Sequence, residues 1–222
     1  RAVRGAVLHA SILRCLEYTR RYLMRCRTPG RIDIIKKLKE IRAAAWKAAM
    51  GEIPSRSSAI TPRNKKNIKF LASRVLDFEC NLLASRIGFL ISRDSGITRD
   101  TLVESVPFQV EPHLNLPDMG FSGTLTPDLV WSAKRAVGEI KTGRESKSHV
   151  IELAGYALAL EKRWRTTIDI GFILYLDTQK SYRVPAYMCA VYPLSDVYRR
   201  LFIQKRNEAL KIVTSHFTKR QH

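Results

Sequence analysis

The sequence predicts an α/β fold preceded by an N-terminal helical region, and three observations carry that expectation. Apolar residues recur at threes and fours over roughly the first ninety positions, which is a helical period. From about Thr101 the pattern changes to short β-branched and aromatic runs bounded by turn residues. Beyond Ser148 a helix, two strands and a closing helix follow, with no internal repeat of the solenoid kind. The predicted organisation is therefore a helical region over 1–98 and a core over 99–222, a mixed β-sheet flanked by helices with a C-terminal helix.

Taken in order, Ala2 to about Cys26 places Val7, Leu8, Ile12, Cys15, Leu16 and Leu23 on one stripe and arginines on the rest, an amphipathic basic helix, or two. After Thr28-Pro29-Gly30 a second helix is expected from Ile32 to Met50, favoured by the Ala43-Ala44-Ala45 run and ended by Gly51. GEIPSRSSAITPRNKK, rich in Pro, Ser and charge, is an expected exposed connection. Ile68, Leu71, Val75, Phe78, Leu82, Leu83, Ile87 and Leu90 then suit one long helix packed on a core, with Gly96 at its exit.

TLVESVPFQV, DLVW and AVGEIKT are expected strands, with the turn-rich LNLPDMGFSGTLTPD between the first two. Ser148 to Lys162 predicts a helix and GFILYL a buried strand. YRVPAYMCAVY predicts a strand weakened by Pro185, and Leu194 to Thr214 the closing helix.

Composition narrows the function. Lys+Arg number 39 against 20 Asp+Glu in 222 residues, a formal net charge of +19. An excess this broad, from Arg1 through RNKKNIK to the KRQH tail, points to a polyanionic partner, with nucleic acid first. No apolar run approaches the ~18 residues of a membrane-spanning helix, and the basic helices use their apolar stripes for a core, so a membrane is not an expected partner. Cys15, Cys26, Cys80 and Cys189 show no CxxC pair, which argues against a disulfide scaffold. With no signal segment, and Arg1 in place of an initiating Met, a processed cytoplasmic protein is expected.

The chemistry concentrates at Pro127-Asp128, Glu139-Ile140-Lys141 and the helix carrying His149, Glu152 and Tyr156. Strand alternation puts Glu139 and Lys141 on one face and Ile140 on the other. If the strands beside Asp128 and Glu139 pair as an antiparallel hairpin, the two carboxylates converge, and a divalent cation is what relieves their repulsion. Oxygen ligands with retained water suit Mg²⁺ or Mn²⁺, so Asp128 and Glu139 are the expected metal ligands. Lys141 is expected to act as a point charge beside the scissile phosphate or the attacking hydroxide. His149, Glu152 and Tyr156, at i, i+3 and i+7, share one helix face; if that face looks into the site, Tyr156 is expected to take a catalytic role and the other two to orient or bind substrate. Glu-x-Lys alone is often a plain cross-strand ion pair; its coupling to Pro-Asp, a hairpin, a polar helix face and high positive charge favours phosphodiester hydrolysis. A rival dipeptide, Pro117-Asp118, is followed by Met119-Gly120 and looks like a turn.

At these residues the chain resembles the PD-(D/E)xK nuclease superfamily, whose core is restriction-endonuclease-like, and within it the RecB-like branch. Glu152 to Tyr156 matches that branch's QxxxY spacing with Glu in place of Gln. GEIKTGRESKSHVIELAGYALALEKRW, TIDIGFILYL and LFIQKRNEALKIV are similar to the archaeal CRISPR-associated fourth Cas protein, especially its subtype I-A branch. RCLEYTRRYL resembles the family's cysteine-led opening and sets Cys15 where the first iron–sulfur ligand would be, which makes 1–98 the iron–sulfur-associated region. The family's three further cluster cysteines follow the last helix, whereas this sequence runs to TSHFTKRQH. From the residues alone, Cys80 and Cys189 look like core thiols, and Cys26 is open between the two roles. The family's metal-binding His has no counterpart: Arg42 follows Ile41 and cannot ligate a cation, so a ligand from Glu40 or Glu79 is an alternative.

The resemblance implies a Mg²⁺- or Mn²⁺-dependent exonuclease acting on single-stranded DNA ends, trimming precursors in spacer acquisition alongside the CRISPR integrase. The competing expectations are a non-catalytic nucleic-acid-binding module that keeps the fold and a basic structural subunit of a larger assembly.

Overall fold

The computed structural model describes residues 2–27, 33–51, 62–93, 96–115, 124–177 and 186–218. The chain divides into two compact units. The first comprises 1–110, 140–144 and 174–188, the second 111–139, 145–173 and 189–222.

In the first unit, helices α1 (Ala2–Met24), α2 (Ile34–Gly51) and α3 (Pro62–Arg93) pack on one another. Their stripes bury Leu8, Ile12, Leu13 and Leu23 of α1, Leu38, Ile41 and Ala45 of α2, and Leu71, Leu76, Leu83 and Ile87 of α3. Each of these leucines and isoleucines contributes about 1.5–3 kcal/mol of transfer free energy. Ser11 and Thr19, wholly buried on α1, keep their hydroxyls satisfied by donating to the carbonyls of Val7 (2.7 Å) and Cys15 (2.8 Å) one turn back.

Three expectations change here. Pro62 opens α3, so the helix begins inside the segment expected to be a connection; proline suits a first turn, where its missing N–H costs nothing. Phe78, expected in the core, is 41% exposed. TLVESVPFQV does not begin as a strand. Arg99–Val103 forms a short helix, α4, because the Thr98 side chain accepts the Thr101 N–H at its start, and strand β1 is confined to Gln109–Val110.

Beyond these lie β2 (Leu114–Asn115), β3 (Thr124–Leu125), β4 (Leu129–Trp131), β5 (Ala136–Lys141), α5 (Lys147–Trp164), β6 (Ile170–Asp177), β7 (Ala186–Pro193) and α6 (Asp196–Thr218). The mixed sheet runs β1-β4-β5-β6-β7, while β2 and β3 form a separate antiparallel pair. The α/β architecture with an N-terminal helical region is as expected. Pro117-Asp118 and Pro185 lie outside the described residues.

In the second unit α5 packs against α6 and buries Leu153, Ala154, Ala157 and Leu160. Ser146 caps α5 by accepting the Ser148 N–H at 3.3 Å, and Arg165, left-handed at φ 53°, closes it. Two glycines seat aromatic rings. A Cβ on Gly138 would stand 2.2 Å from Phe172 Cζ, and one on Gly155 would stand 2.3 Å from Phe202 Cε2.

Candidate active site

The site begins with a four-residue connection between two strands. Ser132–Lys134 form one 3-10 turn after Trp131, and Arg135, at φ 49°, donates its N–H to Ser132 O. This turn fixes an antiparallel register in which Leu129 faces Gly138, Val130 faces Val137 and Trp131 faces Ala136. Continued one residue, the register sets Asp128 directly across from Glu139. Opposed residues of an antiparallel pair point to the same face, with Cβ atoms about 4.5–5.5 Å apart.

Both acids are buried, Asp128 at 6% and Glu139 at 7% exposure. Asp128 is anchored by its backbone, whose carbonyl accepts the Glu111 N–H at 2.9 Å. Glu139 is flanked by buried Val137, Gly138 and Ile140, which hold it in mid-strand. Two carboxylates held on one face of a strand pair repel one another, and a bound cation would relieve this.

Helix α5 supplies the third side of the site. Tyr156 Oη donates to Glu152 Oε1 at 3.2 Å across one helical turn. Burial pushes the Tyr156 phenol well above its ordinary range, and the negative fields of Glu139, Glu152 and Asp128 push it in the same direction. Tyr156 is thus a neutral hydroxyl donor set among three carboxylates. Leu153, Ala157 and Leu160 turn away into the core, as helical spacing predicts.

Asp128, Glu139, Glu152 and Tyr156 therefore come together within the second unit. His149 lies half-buried in the first turn of α5, where its backbone N–H donates to Ser146 O at 3.1 Å. Lys141 belongs to the first unit and is half-buried. Of the alternative ligands, Glu40 is exposed and held by Lys37 Nζ at 2.7 Å, and Glu79 is buried on α3. Arg42, at the position lacking the His, is hydrogen-bonded to Ser73 Oγ at 2.6 Å and ion-paired with Asp77 at 2.8 Å.

The position that sequence reasoning missed is Gly138. A glycine inside an apolar strand marks close approach of another group, and here that group is the Phe172 ring. AVGEIK carried this signal one residue before the glutamate.

The donor set fits a hard divalent cation. Two buried, opposed carboxylates offer oxygen and compensating charge, and Mg²⁺ commonly takes one or two protein carboxylates, keeping water or substrate phosphate in its other positions. Among the described residues no three His, Cys, Asp or Glu side chains form a complete protein cage. An iron–sulfur cluster fits less well. Cys15 is wholly buried, and the thiol brought to it is that of Cys80, with the two sulfurs 3.8 Å apart. No group of three ligands gathers there among the described residues, and no step below runs through a cluster. Cys80 is buried as expected; Cys189, expected in the core, is exposed, and Cys26 is half-buried.

The family model described as CRISPR-associated exonuclease Csa1 matches residues 3–217. A protein of that name from Saccharolobus solfataricus is 32% identical over 139 residues, covering 62% of this chain and 46% of the relative. Another from Thermoproteus tenax is 27% identical over 186 residues, covering 82% of this chain and 61% of the relative. The chain thus spans about half to three-fifths of the length of these curated relatives.

Proposed function

The chain belongs to the CRISPR-associated exonuclease Csa1 family, and from that premise we propose that it carries the hydrolytic core of a metal-dependent deoxyribonuclease that shortens single-stranded DNA ends. The observation that carries this reading is the opposition of Asp128 and Glu139 across β4 and β5, with Tyr156 and Glu152 alongside.

Asp128 and Glu139 would hold Mg²⁺ or Mn²⁺, which when bound lowers the pKa of coordinated water and neutralises charge on the phosphate. Tyr156 keeps its proton and donates a hydrogen bond, fixing the Glu152 carboxylate beside the phosphodiester. Lys141 contributes a positive charge as the phosphorus–oxygen bond to water forms and the bond to the leaving sugar oxygen breaks. The expected roles of His149 and Glu152 are to orient substrate at the mouth of α5. A net charge of +19 supports a polyanionic substrate and a partner assembly that handles DNA, such as the CRISPR integrase during spacer acquisition.

The test is direct. Purified protein with Mg²⁺ or Mn²⁺ is incubated with end-labelled single-stranded DNA, beside an EDTA control and the Glu139→Ala variant. Shortening that requires metal and Glu139 supports the reading. Binding that weakens by about 0.7 log unit per log unit of salt for each phosphate contacted, with no cleavage in either metal, replaces it with a binding module.

A further inference from the structure

In the first unit, α1 and α2 enclose an open cleft of about 440 Å³. One wall is built from Tyr18, Arg21 and Tyr22, which recur at i, i+3 and i+4 on the face of α1 turned from the core stripe of Leu16 and Leu23, and from Arg25 in the turn that follows the helix. Lys37 and Glu40 of α2 stand opposite.

Each tyrosine in this cleft carries a cation over its ring. The Arg21 guanidinium lies 6.0 Å from the Tyr18 centroid, and Glu17 binds it at 2.5 Å. The Lys37 ammonium lies 5.2 Å from the Tyr22 centroid, and Glu40 binds it at 2.7 Å. The arrangement of ring, cation and carboxylate is thus made twice, one helical turn apart. Four residues of helix rise about 6 Å, close to the step between successive bases of an extended strand.

We propose that this cleft binds single-stranded nucleic acid, with successive bases stacking on Tyr18 and Tyr22 and the displaced Arg21 and Lys37 turning to the adjacent phosphates, where Arg25 adds a third positive charge. A cation over an aromatic face occupies the place a base would take. A base entering there frees the cation from its carboxylate and gives it a phosphate instead. Bases inside a duplex have both faces covered, so a stacking platform selects unpaired strands. This deepens the nuclease reading by assigning the preference for single strands to the helical region, and it rests on that reading only for the identity of the polymer as DNA.

The experiment uses the full chain in EDTA, so cleavage plays no part. Anisotropy of a labelled oligothymidylate is compared with that of an abasic oligonucleotide of equal length, which keeps the phosphates and lacks the bases. The wild-type protein is expected to bind the abasic strand more weakly, roughly five- to hundredfold per lost platform. The Tyr18→Ala/Tyr22→Ala variant is expected to fall to that level on both strands. Tyr18→Phe/Tyr22→Phe, which keeps both rings and guards against a folding defect, is expected to bind like wild type. Equal affinity of wild type for both strands, or oligothymidylate affinity in the Ala variant matching that of wild type, overturns the proposal. Unchanged affinity with altered self-association in sedimentation also overturns it and assigns the cleft to protein contact. Failure of Glu139→Ala to abolish cleavage would sink the metal site and leave this result standing.

Discussion

Asp128 stands across the β4–β5 ladder from Glu139, and both are buried. Two carboxylates that face each other repel, and in the proposed reading a divalent cation held by both relieves that repulsion.

The first prediction is a reversal of stability order. In EDTA, Glu139→Gln should be more stable than wild type by about 1–3 kcal/mol, because it removes one of two facing like charges while keeping the side chain's shape. In saturating Mg²⁺ or Mn²⁺ wild type should gain, by about 2.7 kcal/mol at a hundred times Kd, and the variant should not. Cleavage in the variant should drop at least about a hundredfold. Thermal melts in the two buffers decide it: a variant less stable in EDTA would show that Glu139 is structural.

The second prediction concerns Tyr156. Its folded-state pKa is raised, by burial first and by Glu139, Glu152 and Asp128 after it. A raised value means full stabilisation below the unfolded pKa of about 10, lost progressively as pH climbs above it and the unfolded phenol ionises first. Urea titrations at pH 9 and 11 should therefore show a smaller loss for Tyr156→Phe than for wild type. Equal losses would remove Tyr156 from the field of the carboxylates.

Much of this site was legible because its geometry is local. Asp128 and Glu139 are eleven residues apart, and one turn with two short strands sets their register, so Pro-Asp and Glu-x-Lys announced the pair. Helical spacing alone likewise sets Glu152 and Tyr156 one turn apart. The long-range relations were hidden. Nothing near Gly138 in the sequence names Phe172, and the exposure of Phe78 and Cys189 depends on which faces other elements cover. TLVES carries strand propensity, yet a single cap at Thr98 turned its start into helix.

The third prediction uses Gly138. Adding a methyl group there drives a Cβ into the Phe172 ring, so Gly138→Ala should cost about 1–3 kcal/mol and reduce cleavage by displacing the neighbouring Glu139. Phe172→Leu in the same chain should recover part of both losses, because a smaller side chain vacates the space. A double-mutant cycle measures this; simple additivity would separate the two positions.

The last prediction tests how the second unit holds α6 to the end of α5. Arg199 Nη2 donates to Glu161 Oε1 at 2.6 Å, to Ile168 O at 3.1 Å and to Asp169 Oδ1 at 3.3 Å, while its Nη1 donates to the Leu194 carbonyl. The Arg199 and Glu161 side chains are only 13% and 19% exposed, so removal of Arg199 leaves the Glu161 carboxylate without its guanidinium, whereas without Glu161 the guanidinium keeps Asp169 and Asp196. Arg199→Ala should destabilise the chain by roughly 2–4 kcal/mol in urea denaturation. Arg199→Lys should recover little of that, because a lysine lacks the planar fork that serves several acceptors together. Full recovery by lysine would mean that charge alone matters there, and that the hydrogen bonds to Ile168 and Leu194 contribute nothing measurable.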